Sequence, residues 1–243
     1  MSKGKAYFIY LLVILFCLLL SIPMFNQLVA QQVELLDIRS DFTSFQLTLL
    51  SMINPLVLSL ICLTIGHFLQ YKTGLKSILY HKSDFKSTIL KSIMSGAIVG
   101  VVLFFGDLLF AIIGNNEFNE KASTIQLLGG ISYGGVIEEI IIRFGSMNII
   151  VFLLIKLTKS KSKYVYILSI CISSLIFAAG HIPTLVNTIE KDVVIEILKI
   201  MVLNTFAGTI YGLMYYKHSL ENAMLSHIST HITVQIFLVF SHI

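Results

Sequence analysis

The stretch IQLLGGISYGGVIEEIIIRFGSMNIIVFLLI, residues 125–155, is uncharged except for Glu138, Glu139 and Arg143. It exceeds the ~20 residues that cross a bilayer core and is read as a transmembrane helix. A charge at the centre of such a helix costs ~2.5 to 3.5 kcal/mol on insertion scales, so three close together need a strong reason. On a helix Glu139 and Arg143 are four apart and share a face, where an internal ion pair can keep that carboxylate charged and oriented. Glu138 lies about 100° round the helix and is less directly neutralised, which leaves it available for proton transfer. A pure packing salt bridge would not require the second Glu.

The rest of the chain agrees with a membrane setting. Of 243 residues, 56% are hydrophobic and only 12% charged, against roughly 25% charged in soluble domains; the mean hydropathy is +0.88. Uncharged or nearly uncharged runs fall at about 6–29, 45–71, 92–114, 125–155, 164–182, 197–216 and 219–242. The predicted fold is all-α, a polytopic transmembrane helical bundle of about seven spans, within a range of six to eight. With only 3 Pro and no low-complexity tract, residues 1–243 read as a single integral membrane domain. The first run follows Lys3 and Lys5 like a signal peptide, but it passes the usual apolar length and is read as a retained anchor.

Lys3, Lys5, Lys72, Lys76, Lys82, Lys86, Lys91, Lys156, Lys159, Lys161, Lys163 and Lys217 fall in alternate gaps, whereas the other gaps hold Arg39, Lys121 and Lys191 with most of the loop acids, including Glu34, Asp37, Asp41, Glu117, Glu120, Glu190 and Asp192. This asymmetry predicts a multi-pass cell-membrane protein with a cytoplasmic N-terminus. It also accounts for the net charge of +4 without nucleic acid, which is not an expected partner. The mixed segment 72–91 reads equally as an amphipathic surface helix or a solvated basic loop. Cys17, Cys62 and Cys171 lie in apolar runs without paired spacing and read as buried small residues.

Further ionisable groups lie within spans, among them Asp107, Glu196, Lys199 and Glu221. The fifth span ends Phe177-Ala178-Ala179-Gly180-His181-Ile182-Pro183, small residues for close approach and a proline that stops the helix just past the histidine. A lone His there is more often a cap or an interface residue than a ligand. The last span carries His227 and His231, two imidazoles one turn apart on one face, a spacing that suits a metal ion or a polar cluster. Neither HExxH nor its inverse occurs. Water activated by a carboxylate, with or without a metal, is the chemistry this set supports.

At these residues the chain resembles the CPBP family of intramembrane proteases, the type II CAAX prenyl endopeptidase and bacteriocin-processing (Abi) group. That family's pattern is EExxxR, then FxxxH, then HxxxN or HxxxD. Glu138, Glu139 and Arg143 fit the first motif, Phe177 and His181 the second, and His227 the third. The matching region, about 130–235, would be the catalytic core. The resemblance implies an endopeptidase in which Glu138 activates the attacking water, helped by His181, while Glu139, Arg143 and His227 orient the site or stabilise the oxyanion. His231 departs from the family's Asn or Asp: its imidazole can still donate a hydrogen bond, but it can equally bind metal or carry charge. Members are described both as metalloproteases and as metal-free glutamate proteases. If Zn2+ is used, Glu139, His181 and His227 are its expected ligands.

The expected partners are membrane lipid and a peptide or membrane-protein substrate; oligomeric state is not addressed by the sequence. A small, Lys-rich, Trp-free chain favours a bacterial substrate such as a peptide pheromone, bacteriocin precursor or surface protein. The competing functions are a proton-coupled transporter, against which stands the lack of an internal repeat, and a non-catalytic immunity protein. Depth fits badly: counted from the span ends, Glu138 is near mid-span, His181 near an outer end and His227 ~12 Å from an inner one. Tilt, an irregular sixth segment or a different span count would be needed to bring them to one level.

Overall fold

The computed structural model describes residues 2–35, 37, 41–81, 85–114, 118, 121–183 and 193–241. Arg39, Lys82, Glu117, Glu120, Glu190, Lys191 and Asp192, used above for orientation, lie outside the described residues. All regular structure among the described residues is helical. The elements are α1 (Lys3–Leu35), α2 (Ser44–Ser51), α3 (Ile53–Thr73), α4 (Phe85–Ile113), α5 (Thr124–Gly129), α6 (Asn148–Thr158), α7 (Lys163–Gly180), α8 (Val193–Lys217) and α9 (Leu220–Ser241). Two π-helical segments, Gly130–Glu138 and Ile140–Met147, join α5 to α6 in one continuous helix. Seven helical stretches are long and apolar enough to cross a membrane, α2 with α3 and Thr124–Thr158 each counting once. The protein is an all-α, multi-pass membrane bundle.

Local signals explain several boundaries. Thr43 and Gln46 form a reciprocal capping box at the start of α2, satisfying two otherwise unpaired donors. Pro55 sits in the first turn of α3, where its missing N–H costs nothing. Gly74, at φ +81°, ends α3 in the left-handed conformation and donates its N–H to the Gln70 carbonyl.

In a bilayer, lipid tails compete with side chains for apolar contact, so close helix approach through small residues drives association. Gly96 and Gly100 of α4 press on Ser226, Thr230 and Thr233 of α9, and a methyl group at Gly96 would overlap the Ser226 carbonyl. Gly208 and Gly212 of α8 lie against Ser174 and Ile170 of α7. The long Thr124–Thr158 helix runs through the middle, touching α1, α3, α7 and α9.

Two open readings are resolved and one expectation, the burial of Cys171, is corrected. Of the two readings of 72–91, the helix is not found among the described residues and a non-helical connection is: α3 runs to Thr73, Gly74 stops it, and α4 starts at Phe85. The connection turns inward instead, burying Leu75 and Ser77. The cause is Glu221 at the start of α9, a carboxylate that accepts from Ser77 Oγ (2.8 Å), the Ile78 N–H (2.9 Å) and the Tyr10 hydroxyl. Cys171 is exposed, although Cys17 and Cys62 are buried; it shares an outward face with Leu168 and Leu175, one turn either side, where the surrounding lipid is as apolar as a core. The sixth span, whose irregular course is one of three ways to reconcile the depths, is a regular helix over Val193–Lys217, and Lys199 pairs there with Glu196 (2.9 Å) on its own helix and with Asp107 (3.1 Å) on α4.

Candidate active site

Glu138 and Glu139 sit where the two π segments meet. The wider i→i+5 turns recur at functional sites, and here the local sequence Gly-Ile-Ser-Tyr-Gly-Gly has little side-chain bulk to resist them. Gly130 and Gly134 are required by α9: a Cβ on either would lie 2.6 Å from a ring nitrogen of His231.

The two carboxylates point to different partners. Glu139 is fully buried, with Oε2 3.2 Å from Arg143 Nε, also fully buried, and Oε1 3.0 Å from His227 Nδ1. The carboxylate can only accept, so His227 Nδ1 carries the hydrogen. The Arg143 guanidinium sits 5.3 Å above the Phe177 ring, a cation–π arrangement, while among the described residues none of its three nitrogens, nor Glu139 Oε2, has a hydrogen-bond partner, so the two side chains meet as an ion pair without a hydrogen bond. Glu138, by contrast, is partly exposed, and its Oε1 lies 3.8 Å from His181 Nε2. His181 Nδ1 is 2.8 Å from the Phe177 carbonyl; a carbonyl only accepts, so Nδ1 carries a proton and Nε2 is the ring nitrogen turned to Glu138.

The apparent conflict in depth disappears here. Because Glu138 and Glu139 are adjacent, one meets α7 and the other α9 without either helix having to match the other's ends. His181 also leans back one turn, its ring 4.7 Å from that of Phe177, as side chains on a helix do. The wide π turns further shorten the central helix for its residue count.

His227 is held between two parallel rings, Tyr211 at 4.3 Å and 19° and His231 at 5.0 Å and 17°. His231 Nε2 is buried without a hydrogen-bond partner. A cavity of about 630 Å³ is lined by Glu138, His181, His227 and His231 with Tyr133, Tyr211 and Thr230, and by the apolar Met24, Phe25, Leu28 and Leu103. Glu139 and Arg143 lie behind this lining. All six residues singled out from the sequence thus converge, as the pair Glu138–His181, the triad Glu139–Arg143–His227 and the stacked His231. Tyr211 was not foreseen; its only signal is the pair Gly208 and Gly212 around it, which marks a close-packed face.

Among the described residues, no three His, Cys, Asp or Glu side chains are arranged to hold a metal ion. The expected zinc set of Glu139, His181 and His227 is not assembled as ligands, since Glu139 is engaged by Arg143 and His227 and His181 turns to Glu138.

Residues 120–233, a little under half of the chain, match the family model of the Type II CAAX prenyl endopeptidase Rce1-like proteins. The resemblance to CPBP intramembrane proteases read from the three motifs is shown over that stretch. No curated protein and no solved structure matches the chain. The family match supports a protease working in a membrane, with a peptide or protein as substrate.

Proposed function

We propose that the protein is an intramembrane endopeptidase that hydrolyses a peptide bond in a membrane-associated peptide or protein with water activated by Glu138. The observation that carries this reading is the 3.8 Å gap between Glu138 Oε1 and His181 Nε2. Both atoms are acceptors when Glu138 is ionised and His181 neutral, and they are too far apart for a direct hydrogen bond. A water donating one hydrogen to each bridges such a gap and is thereby oriented and polarised. As its oxygen attacks the substrate carbonyl, one water proton passes to Glu138 and a tetrahedral oxyanion forms. When the C–N bond breaks, Glu138 returns that proton to the leaving amine.

Glu139 stays out of the proton transfer because Arg143 and His227 engage both its oxygens; its task is to hold His227. His231 faces the cavity and is assigned to the developing oxyanion, whereas His227, whose Nδ1–H goes to Glu139, is left with an acceptor Nε2 and orients the site. No step is routed through a metal. The cavity lining mixes apolar side chains such as Met24, Phe25 and Leu28 with polar ones such as Asp107, Glu138 and His181, which suits an amphiphilic peptide segment entering from the membrane. Bacterial peptide pheromones, bacteriocin precursors and surface proteins are the substrates we favour over prenylated proteins.

The test is comparative proteomics of membranes from cells carrying the wild type or Glu138→Gln. Glutamine keeps the shape but cannot take a proton, and loss of a general base typically costs ~10² to 10⁴ in rate. An uncut peptide should accumulate while expression and insertion stay intact. Near-full cleavage by the purified variant would overturn the assignment, and proton-coupled uptake into liposomes that this variant loses would favour a carrier instead.

A further inference from the structure

We infer that Tyr211 is a positioning residue that fixes the plane and the tautomer of His227, an inference that gains its catalytic meaning from the protease reading above. Gly208 and Gly212 bracket Tyr211 and let α8 close on α7, with Cβ positions that would lie 3.1 Å from Ser174 and 3.0 Å from Ile170. Tyr211, almost fully buried, is thereby laid flat on His227, centroids 4.3 Å apart. His231 covers the opposite face, and Phe177 meets the ring edge-on at 5.8 Å and 85°. An imidazole enclosed on both faces cannot turn about its Cβ–Cγ bond without displacing a neighbour. That restraint matters because a flipped ring would present carbon, not Nδ1–H, to the fully buried Glu139.

The phenol is itself anchored. Its hydroxyl donates to Thr230 Oγ1 (2.8 Å), and Thr230 in turn donates to the Gly96 carbonyl of α4 at 3.0 Å, with the Ser226 carbonyl at 3.1 Å as the second acceptor. The Tyr211 ring is thus tied to both α4 and α9, and through it His227 keeps Nδ1 on Glu139.

The experiment uses the full chain in nanodiscs with ¹⁵N-histidine, the His227 signal being assigned by its loss in His227→Gln. The wild type should show a protonated Nδ1 and an unprotonated Nε2 for this ring. Tyr211→Phe keeps the flat face and should keep that signature. Tyr211→Leu should lose it, with the two tautomers averaging; Tyr211→Met, which fills the volume without a flat face, serves the same purpose where Leu does not fold. In parallel, cleavage of the peptide that accumulates uncut in Glu138→Gln cells should fall about threefold in Phe, as for one lost hydrogen bond, and about 10- to 100-fold in Leu or Met, mostly in kcat, as for a displaced catalytic group. An unchanged His227 tautomer in the folded Leu or Met variant would overturn the inference. Failure of the wild type to cut any peptide would count against the protease reading and leave the tautomer result to judge Tyr211 alone.

Discussion

Replacing Arg143 with leucine removes the cation beside a carboxylate that has no contact with solvent. Glu139 would keep one hydrogen bond, from His227 Nδ1 at 3.0 Å, and Oε2, now 3.2 Å from Arg143 Nε, would face apolar surroundings. Breaking a buried pair from one side costs ~3 to 5 kcal/mol, because the remaining charge is uncompensated. For a chain of this size that corresponds to a fall in Tm of roughly 6 to 20 °C. The structure also predicts a non-additive partner. Among the described residues Arg143 Nε, Nη1 and Nη2 and Glu139 Oε2 all lack hydrogen-bond partners, so the pair is itself incompletely satisfied, and Glu139→Gln with Arg143→Met should cost less than Arg143→Leu alone. Lysine at 143 should rescue only part of the loss, since it lacks the planar fork and the broad cation face that meets Phe177. Thermal unfolding in detergent, followed by a thiol-reactive or scattering probe, measures all four proteins. Equal Tm for Arg143→Leu and the wild type, or a double variant worse than the single, would refute the ion-pair argument.

Other outcomes follow from the same geometry. His231→Asn restores the residue usual at that position in the resembled family and should retain much of the cleavage, whereas His231→Ala should lose ~10² to 10³ in rate; an inactive Asn variant with lowered zinc by mass spectrometry would make the position a metal ligand instead. Gly134→Ala places a methyl group 2.6 Å from His231 Nε2, so His231 must shift; stability should fall by ~1 to 3 kcal/mol and the His227 tautomer signal should broaden, and a variant as stable and active as the wild type would show that the ring is not clamped there.

Much of the bundle was legible because apolar runs are a one-dimensional signal. The Glu139–Arg143 pair was readable for the same reason, four residues being one helical turn. What stayed hidden depends on partners distant in sequence. The inward course of the 74–81 connection is set by Glu221, more than a hundred residues away. Cys171 shows a further limit: in lipid, hydrophobicity does not separate inside from outside, so an apolar neighbourhood said nothing about its burial. The meeting of His181 with His227 could not be inferred from span ends, because it is made through two adjacent side chains on a third helix. Tyr211 belongs to no charge pattern at all, and only its glycine neighbours hinted at a packed face.

The wide turns around residues 130–147 have a genetic consequence. A π turn accommodates one residue more than a regular turn, so this segment carries a surplus that a shorter chain would not need. Deleting Gly135 would let Gly130–Glu138 relax toward ordinary α geometry and swing Glu138 by about 100° relative to the residues before it. The Glu139-to-Arg143 interval would survive intact. Length variants in this stretch should therefore sort into proteins that still insert and retain their ion pair but have lost the wet carboxylate: natural decoys, able to occupy a substrate without cutting it.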